Sequence, residues 1–329
     1  MENKLNRRLK KGGSIVVGIY VFYAALLLLF ARDHFPLMPY GIVFGAGLVA
    51  LLAYIGHLFQ NEKRGNIRGG LQFIATLNKY EFLIEQLVSR DFKTKYKRSV
   101  LGVLWSFLNP LLLMLVQYAV FSKLIARGTP IEHYAAYLLS GIVIFNGFQD
   151  CANQAMHSIT GNSTLITKVY VPKYIYPCSK VFSASINTVL SIIPLLAVSL
   201  INGVRPSLSW LLIPIALLFI LIFTIGAGFL LSSVVVFFRD IEFLWGIFTT
   251  LWMYATPIIY NIDALPDWMQ KLEVINPMYH LITFMRTIVI GGQSPAPAQY
   301  LICFLIGVIT VVIGGTVFKK TQDQFILYL

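Results

Sequence analysis

Apolar runs about long enough to cross a bilayer alternate along this chain with short polar segments, most of them basic. Eight runs stand out: Ser14 to Ala31, Leu37 to Phe59, Leu101 to Ala126, Tyr134 to Ala155, Cys178 to Ile201, Ser209 to Phe238, Phe243 to Tyr260 and Tyr300 to Phe318. A hydrocarbon slab about 30 Å thick requires about 20 apolar residues per helix, and backbone polar groups inside it must be bonded within the protein. The pattern therefore predicts an all-α integral membrane protein whose function lies in what interrupts the spans. The first run follows Lys4, Arg7, Arg8, Lys10 and Lys11, as a signal peptide would. It is too long for one, however, and Arg32, Asp33 and His34 follow it in place of small residues, so it reads as a retained span.

Composition supports this: 57% of the residues are hydrophobic and 12% charged, too much apolar surface for one water-soluble core. The formal net charge of +12 follows from topology. With the N-terminus in the cytoplasm, 20 of the 26 Lys and Arg fall on cytoplasmic segments, nine of them between Gln60 and Ser99, as the positive-inside rule requires. The basic balance then reflects orientation and contact with anionic lipid, and no nucleic acid is implied. Val274 to Ile290 is apolar enough for a ninth span, but that would place Lys319 and Lys320 outside. Asn261 to Gly292 therefore reads as a re-entrant or interfacial hairpin on the outer face, with Pro257, Pro266, Pro277 and Gly291-Gly292 as breakpoints. Three regions result: a two-span extension (1–60), a cytoplasmic linker with an interfacial helix (61–100), and a core (101–329). Cys151, Cys178 and Cys303 read as buried thiols, with no disulfide framework. The sequon at Asn162 falls on the cytoplasmic side.

Two polar segments are candidates for work. From Asn78 to Phe92, Tyr80, Leu83, Ile84, Leu87 and Val88 share one helical stripe, and Asn78 with Glu81 has capping-box spacing. Lys93, Lys95, Lys97 and Arg98 follow, so the segment reads as a helix in the interface held by a basic cluster, or as a plain lead-in to the next span. The Asn162–Pro177 loop carries Leu165, Lys168, Tyr170, Lys173 and Tyr174. These fit interface anchors or a docking surface for a soluble partner. Aromatic residues make up 14% of the chain, many inside spans, including Trp105, Tyr118, Phe145 and Trp252. Most suit lipid-facing or belt positions, though an aromatic-lined conduit would suit a sugar polymer. No phosphate loop, His-Glu-x-x-His, Asp-x-Asp or Gly-x-Ser-x-Gly occurs. Asp150 is the clearest carboxylate deep in a span, so neither an intrinsic ATPase nor an ion relay is evident.

Arg90-Asp91-Phe92-Lys93, then Tyr96-Lys97-Arg98-Ser99-Val100-Leu101-Gly102-Val103-Leu104-Trp105 and Asn109-Pro110-Leu111, open the core. Phe237-Phe238-Arg239-Asp240-Ile241 ends the sixth span, and Ala255-Thr256-Pro257-Ile258-Ile259-Tyr260 with Ile275-Asn276-Pro277-Met278 brackets the outer hairpin. In order and spacing these resemble the permease subunit of ABC-2-type polysaccharide exporters, the O-antigen, capsule and teichoic acid branch, over Asn78 to Leu329. The resemblance implies a homodimer of permeases in the bacterial cytoplasmic membrane, with both termini inside. It also implies two copies of a separate ATP-binding cassette subunit that carries the ATP and Mg, leaving no catalytic residue, metal or cofactor on this chain. The Asn162–Pro177 loop, through Leu165, Lys168, Tyr170, Lys173 and Tyr174, would couple to that ATPase. The helix before the core would mark a lateral entrance where Lys93, Lys95, Lys97 and Arg98 meet the diphosphate of a polyprenyl-linked glycan. The polymer would pass Trp105, Tyr118, Phe145 and Trp252. Six core spans are usual in this family, so the first two are an addition.

Alternatives from other classes stay in view. An ABC-2 exporter of drugs or small lipids would keep the ATPase but narrow the path. An ATP-independent carrier or flippase would need an inverted repeat and an essential buried acid. A membrane-embedded transferase would need a carboxylate or His site, for which only His280 and Glu273 are near each other in sequence. Arg239-Asp240 reads as a snorkelling arginine beside its neighbour more readily than as a hinge.

Overall fold

The computed structural model describes residues 80–97, 99–127, 131–168 and 171–329. Both N-terminal spans, Asn78, Arg98 and Tyr170 lie outside the described residues. Glu81–Gly292 and Ala298–Leu329 form one compact unit; Met1–Tyr80 and Gln293–Pro297 form another, of which Tyr80 and the latter five residues are described. The described residues contain helices and connecting turns and no strand. The helices are α1 (Glu81–Tyr96), α2 (Trp105–Arg127), α3 (Tyr134–Met156), α4 (Ser163–Lys168), α5 (Ile175–Ile201), α6 (Ile213–Phe237), α7 (Ile241–Ala255), α8 (Asp267–Glu273), α9 (Pro277–Val289), α10 (Pro297–Thr321) and α11 (Phe325–Tyr328).

Four stretches are long and apolar enough to span a membrane: Gly102–Lys123, Ile175–Ile201, Leu208–Phe237 and Pro297–Tyr328. They coincide with four of the six predicted core spans. The other two differ from simple spans in instructive ways. α3 has the length, at 23 residues, but interrupts its apolar face with Asn146, Gln149, Asp150, Asn153 and Gln154. Those polar groups would be costly against lipid, and α3 is accordingly the interior of the unit, with sixteen of its 23 residues buried under α2, α5, α6 and α9. The predicted span Phe243–Tyr260 is helical only to Ala255. Fifteen residues make a helix of about 22 Å, short of the roughly 30 Å hydrocarbon slab. Thr256 turns to an extended ψ of 135°, because the residue before Pro257 is pushed out of the helical region.

The segment after α7 is non-helical, so its carbonyls need partners from elsewhere. The Tyr134 hydroxyl donates to Ile259 O at 3.0 Å, and Tyr137 donates to Tyr260 O at 2.9 Å. Arg286 on α9 donates to Pro257 O (2.8 Å), Ile258 O (3.0 Å) and Tyr137 O (3.2 Å), with its guanidinium 3.3 Å from the centre of the Tyr137 ring. Asn276 completes the knot as N-cap of α9. Its Oδ1 accepts from Met278 N–H (3.0 Å) and Trp252 Nε1–H (2.9 Å), and its Nδ2 donates to Thr256 Oγ1 (3.0 Å) and Glu273 Oε2 (2.8 Å). The hairpin predicted over Asn261 to Gly292 is thus two short helices, α8 and α9, and α9 buries Met278, Leu281, Ile282, Met285 and Ile288 against α3 and α6. Its C-terminal breakpoint holds Gly292 at φ +63°, which suits glycine.

α6 and α10 approach through glycines. A Cβ on Gly226 would collide with the backbone of Thr310 and Val311, and one on Gly314 with the Gly226 carbonyl. Such small-residue contacts let two helices pack closely where lipid offers no hydrophobic drive. Gly314→Val is expected to cost about 1–3 kcal/mol through overpacking, read as a lower melting temperature in detergent. Gly315→Val, with open space around its Cβ, is expected to melt like the parent.

At the hairpin, burial pushes the Glu273 carboxyl above its ordinary value, and the hydrogen bond from Asn276 opposes this. The folded state therefore resists the charged form. The resulting destabilisation is full above the folded-state pKa, shrinks as pH falls through it, and is gone below the unfolded value near 4.3. Glu273→Gln should accordingly raise the melting temperature at pH 8 and not at about pH 4. A gain of the same size at both would contradict this account.

Candidate functional site

Charged residues join α1 to the turn before α4 and to α5. Arg90 and Asp91 pair at 3.0 Å, Arg90 Nη2 donates to Asn162 Oδ1 at 3.2 Å, and Lys180 Nζ lies 2.9 Å from Asp91 Oδ2. Asn162 in turn donates to Ser158 O at 2.7 Å. One arginine therefore ties α1 to the turn that leads into α4. His157 and Glu242 stand 3.5 Å apart between the ends of α3 and α7.

α4 is a single short turn of helix with Ile166 buried and Leu165, Thr167 and Lys168 exposed. Of the predicted coupling residues, Leu165 and Lys168 are thus on the surface, and Tyr174 is half-buried at the start of α5. Tyr170 is outside the described residues. Lys173 is engaged: its Nζ donates to Gln322 O at 2.5 Å and lies 5.9 Å from the Phe325 ring centre. Phe325 is itself fully buried against Phe318 and Phe237. A lysine at the end of α10 also suits the negative pole of that helix.

The basic cluster divides. Lys93 and Lys97 are exposed, Arg98 is outside the described residues, and Lys95 reaches back to Asp150 on α3, Nζ to Oδ2 at 2.8 Å. A hollow of about 470 Å³ is lined by Thr94, Lys95, Lys97 and Ser99. Beside it a polar cleft of about 460 Å³ opens between α1, α2, α3 and α5.

This cleft is lined by amides and hydroxyls. Tyr96 OH donates to Asn187 Oδ1 at 2.6 Å and lies 2.7 Å from Ser106 Oγ, which is 3.1 Å from the same Asn187 oxygen. Asn109, Asn146, Thr188 and Ser191 complete much of the lining, with Trp105 at the edge. On the α7 side, Gln149 Nε2 donates to Thr249 Oγ1 at 3.1 Å, and Trp245 Nε1 donates to Asn153 Oδ1 at 2.8 Å. The arrangement can hold an uncharged, hydrogen-bonding molecule. No pair of its side chains makes a nucleophile–base couple among the described residues.

The four predicted channel aromatics do not share one surface. Trp105 and Tyr118 are exposed on α2, Tyr118 with its ring 5.7 Å from that of Tyr134. Phe145 has no accessible surface and packs edge-on to Trp252 at 6.1 Å. Phe145 thus lines no open passage in this conformation, and the Trp252 indole is held by Asn276.

Sequence reasoning singled out Asp150 on α3 but not the amides around it. The signal was present: Asn146, Gln149, Asp150 and Asn153 fall at i, i+3, i+4 and i+7, a polar stripe on one helical face. Nothing local in the sequence around Arg286 announces the carbonyls it meets.

Residues 83–290 match the family described as ABC-2 type transporter. The chain is 32% identical over 245 residues to the O-antigen export system permease protein RfbA of Klebsiella pneumoniae, covering 74% of this chain and 93% of that protein. It is 27% identical to RfbA of Myxococcus xanthus, covering 78% and 98%. It is 23% identical to the capsule polysaccharide export inner-membrane protein CtrC of Neisseria meningitidis serogroup A, covering 71% and 90%.

Lys173 fastens the C-terminal turn, so Lys173→Ala is expected to speed tryptic cleavage at the neighbouring Lys319 and Lys320 several-fold. Lys168→Ala, which removes an exposed lysine without such contacts, should leave that rate unchanged. Digestion followed by mass spectrometry reads both.

Proposed function

Because this chain belongs to the ABC-2 type transporter family, we propose that it is the membrane-spanning subunit of an ATP-driven exporter moving a lipid-linked polysaccharide across the bacterial cytoplasmic membrane. The observation that carries this reading is likeness over 90% or more of the length of three relatives, each named for export of O-antigen or capsule polysaccharide. The chain is a transporter component, and ATP hydrolysis belongs to a separate ATP-binding subunit. In this reading α2, α3, α5, α6, α7 and α10 are the six core spans, α8 and α9 lie at the outer mouth, and the two N-terminal runs are additional spans. Both termini face the cytoplasm, as the distribution of Lys and Arg favours. The functional unit contains two copies of this chain and two of the ATP-binding subunit.

α4 and its flanks form the element that meets the ATPase. The exposure of Leu165 and Lys168 beside a buried Ile166 supports this, as does the Arg90–Asn162 hydrogen bond that would pass movement of this turn to α1. The diphosphate of a polyprenyl carrier would meet Lys93 and Lys97, whose ammonium groups are exposed.

Deleting the gene should abolish one surface polysaccharide, and its cargo should accumulate inside the cell; an unchanged cell surface would overturn the export reading. Purification in mild detergent should bring down a soluble chain with a phosphate-loop motif. Leu165→Asp is expected to lower recovery of that chain at least tenfold while leaving this one in the membrane. Full recovery of the ATP-binding subunit with Leu165→Asp would remove α4 as the coupling element.

A further inference from the structure

The cleft between α1, α2, α3 and α5 is built differently from the lysine-lined hollow beside it, and the difference points to a ligand. Its charged lining residues are Lys95 and Asp150, and they neutralise each other at 2.8 Å. A diphosphate or an acidic sugar would have to bring its charge into a space with no net charge to receive it. An uncharged polyol meets no such penalty.

The neutral lining suits such a molecule closely. Asn187 is nine-tenths buried, and its Oδ1 accepts from both Tyr96 and Ser106 while its Nδ2 has no partner among the described residues. A buried amide with both N–H groups unspent is an exception that asks for an acceptor. Sugar hydroxyls accept as well as donate, and Asn146 on the facing wall of α3 adds an amide able to do both. Trp105, 46% exposed at the edge, offers an aromatic face for the C–H side of a pyranose ring. The volume of about 460 Å³ is within the roughly 300–1,000 Å³ of small-ligand sites.

We infer that this cleft is a subsite for an uncharged pyranose residue of the exported glycan, distinct from Lys93 and Lys97, which would meet the carrier's phosphates. The inference rests on the export reading above. Lys95 acts here as a strap: it closes the charge of Asp150 and holds the end of α1, with Tyr96, against the cleft.

The test uses the purified full chain in lipid nanodiscs and its tryptophan fluorescence, titrated with maltotetraose as a neutral pyranose probe. A trimer of sialic acid serves as the acidic counterpart. A saturable change with maltotetraose is expected, absent in Trp105→Phe and at least tenfold weaker in Asn187→Leu and Asn146→Leu, with no response to the sialic acid trimer. If Asn187→Leu fails to fold, Asn146→Leu carries the test from the opposite wall. No saturable response, affinity unchanged in the leucine variants, or preference for the sialic acid trimer would each overturn the inference. Binding of a free oligosaccharide needs no ATPase, carrier lipid or transport. Saturable binding with an unaltered surface polymer on gene deletion would therefore sink the export reading and leave the sugar subsite standing. Loss of the polymer without binding would do the reverse.

Discussion

Backbone that leaves the helix near a membrane interior must find its hydrogen bonds in side chains. The segment Thr256–Tyr260 is where this chain meets that requirement, and much of the bundle is organised around it. Tyr134 and Tyr137 come from the start of α3, Arg286 from α9, and Asn276 from the cap between α8 and α9. A guanidinium can serve several carbonyls at once because its donors form a rigid fork. No carboxylate is within salt-bridge distance of it among the described residues. The charge is stabilised instead by carbonyl dipoles and the face of Tyr137. Remove this set and the carbonyls freed where Pro257 ends α7 have no partners, and α9 loses the contacts that seat it between α3 and α6.

The same economy explains why the helix with the polar stripe is the most enclosed. α3 carries four amide side chains and a carboxylate, and two other helices take up part of that load. α7 takes Gln149 and Asn153 through Thr249 and Trp245, and α1 takes Asp150 through Lys95. Asn146 and the Asn187 nitrogen remain at the cleft. The polar groups left over are therefore not scattered, and they lie together in the lining of the cleft.

Much of this architecture was legible in the sequence. Four spans, α1 and the breakpoints at Pro257, Pro277 and Gly291-Gly292 follow from hydropathy, helical period and backbone chemistry, which are local properties. The end of α7 was less so, because Ile258, Ile259 and Tyr260 continue the apolar run that Pro257 interrupts. Hydropathy does not register the lost helix. The exposure of a charged side chain was legible in the sequence, as with Lys93, Lys97 and Lys168. Long-range partners were not legible: Lys173 meets a carbonyl 149 residues away, and Phe145 is fully buried. The cleft was missed because its residues come from four helices and no single segment looks like a site.

These pieces also limit how movement can pass through the molecule. Arg90 at the α4 end and Tyr96 at the cleft stand six residues apart on one continuous helix, about 9 Å along its axis. A rigid helix of that length cannot shift at one point and stay still at the other. Its fastenings are ion pairs and hydrogen bonds, with Leu87 as its one buried residue. A pair as exposed as Lys95–Asp150, with 39% of each side chain accessible, is worth about 0–1 kcal/mol, which makes it easy to exchange. α3, by contrast, is locked by burial along most of its length. On the export reading, the work delivered at α4 would therefore be expected to move α1 across the cleft while α3 stays fixed, so that the wall bearing Lys95 and Tyr96 is the movable one.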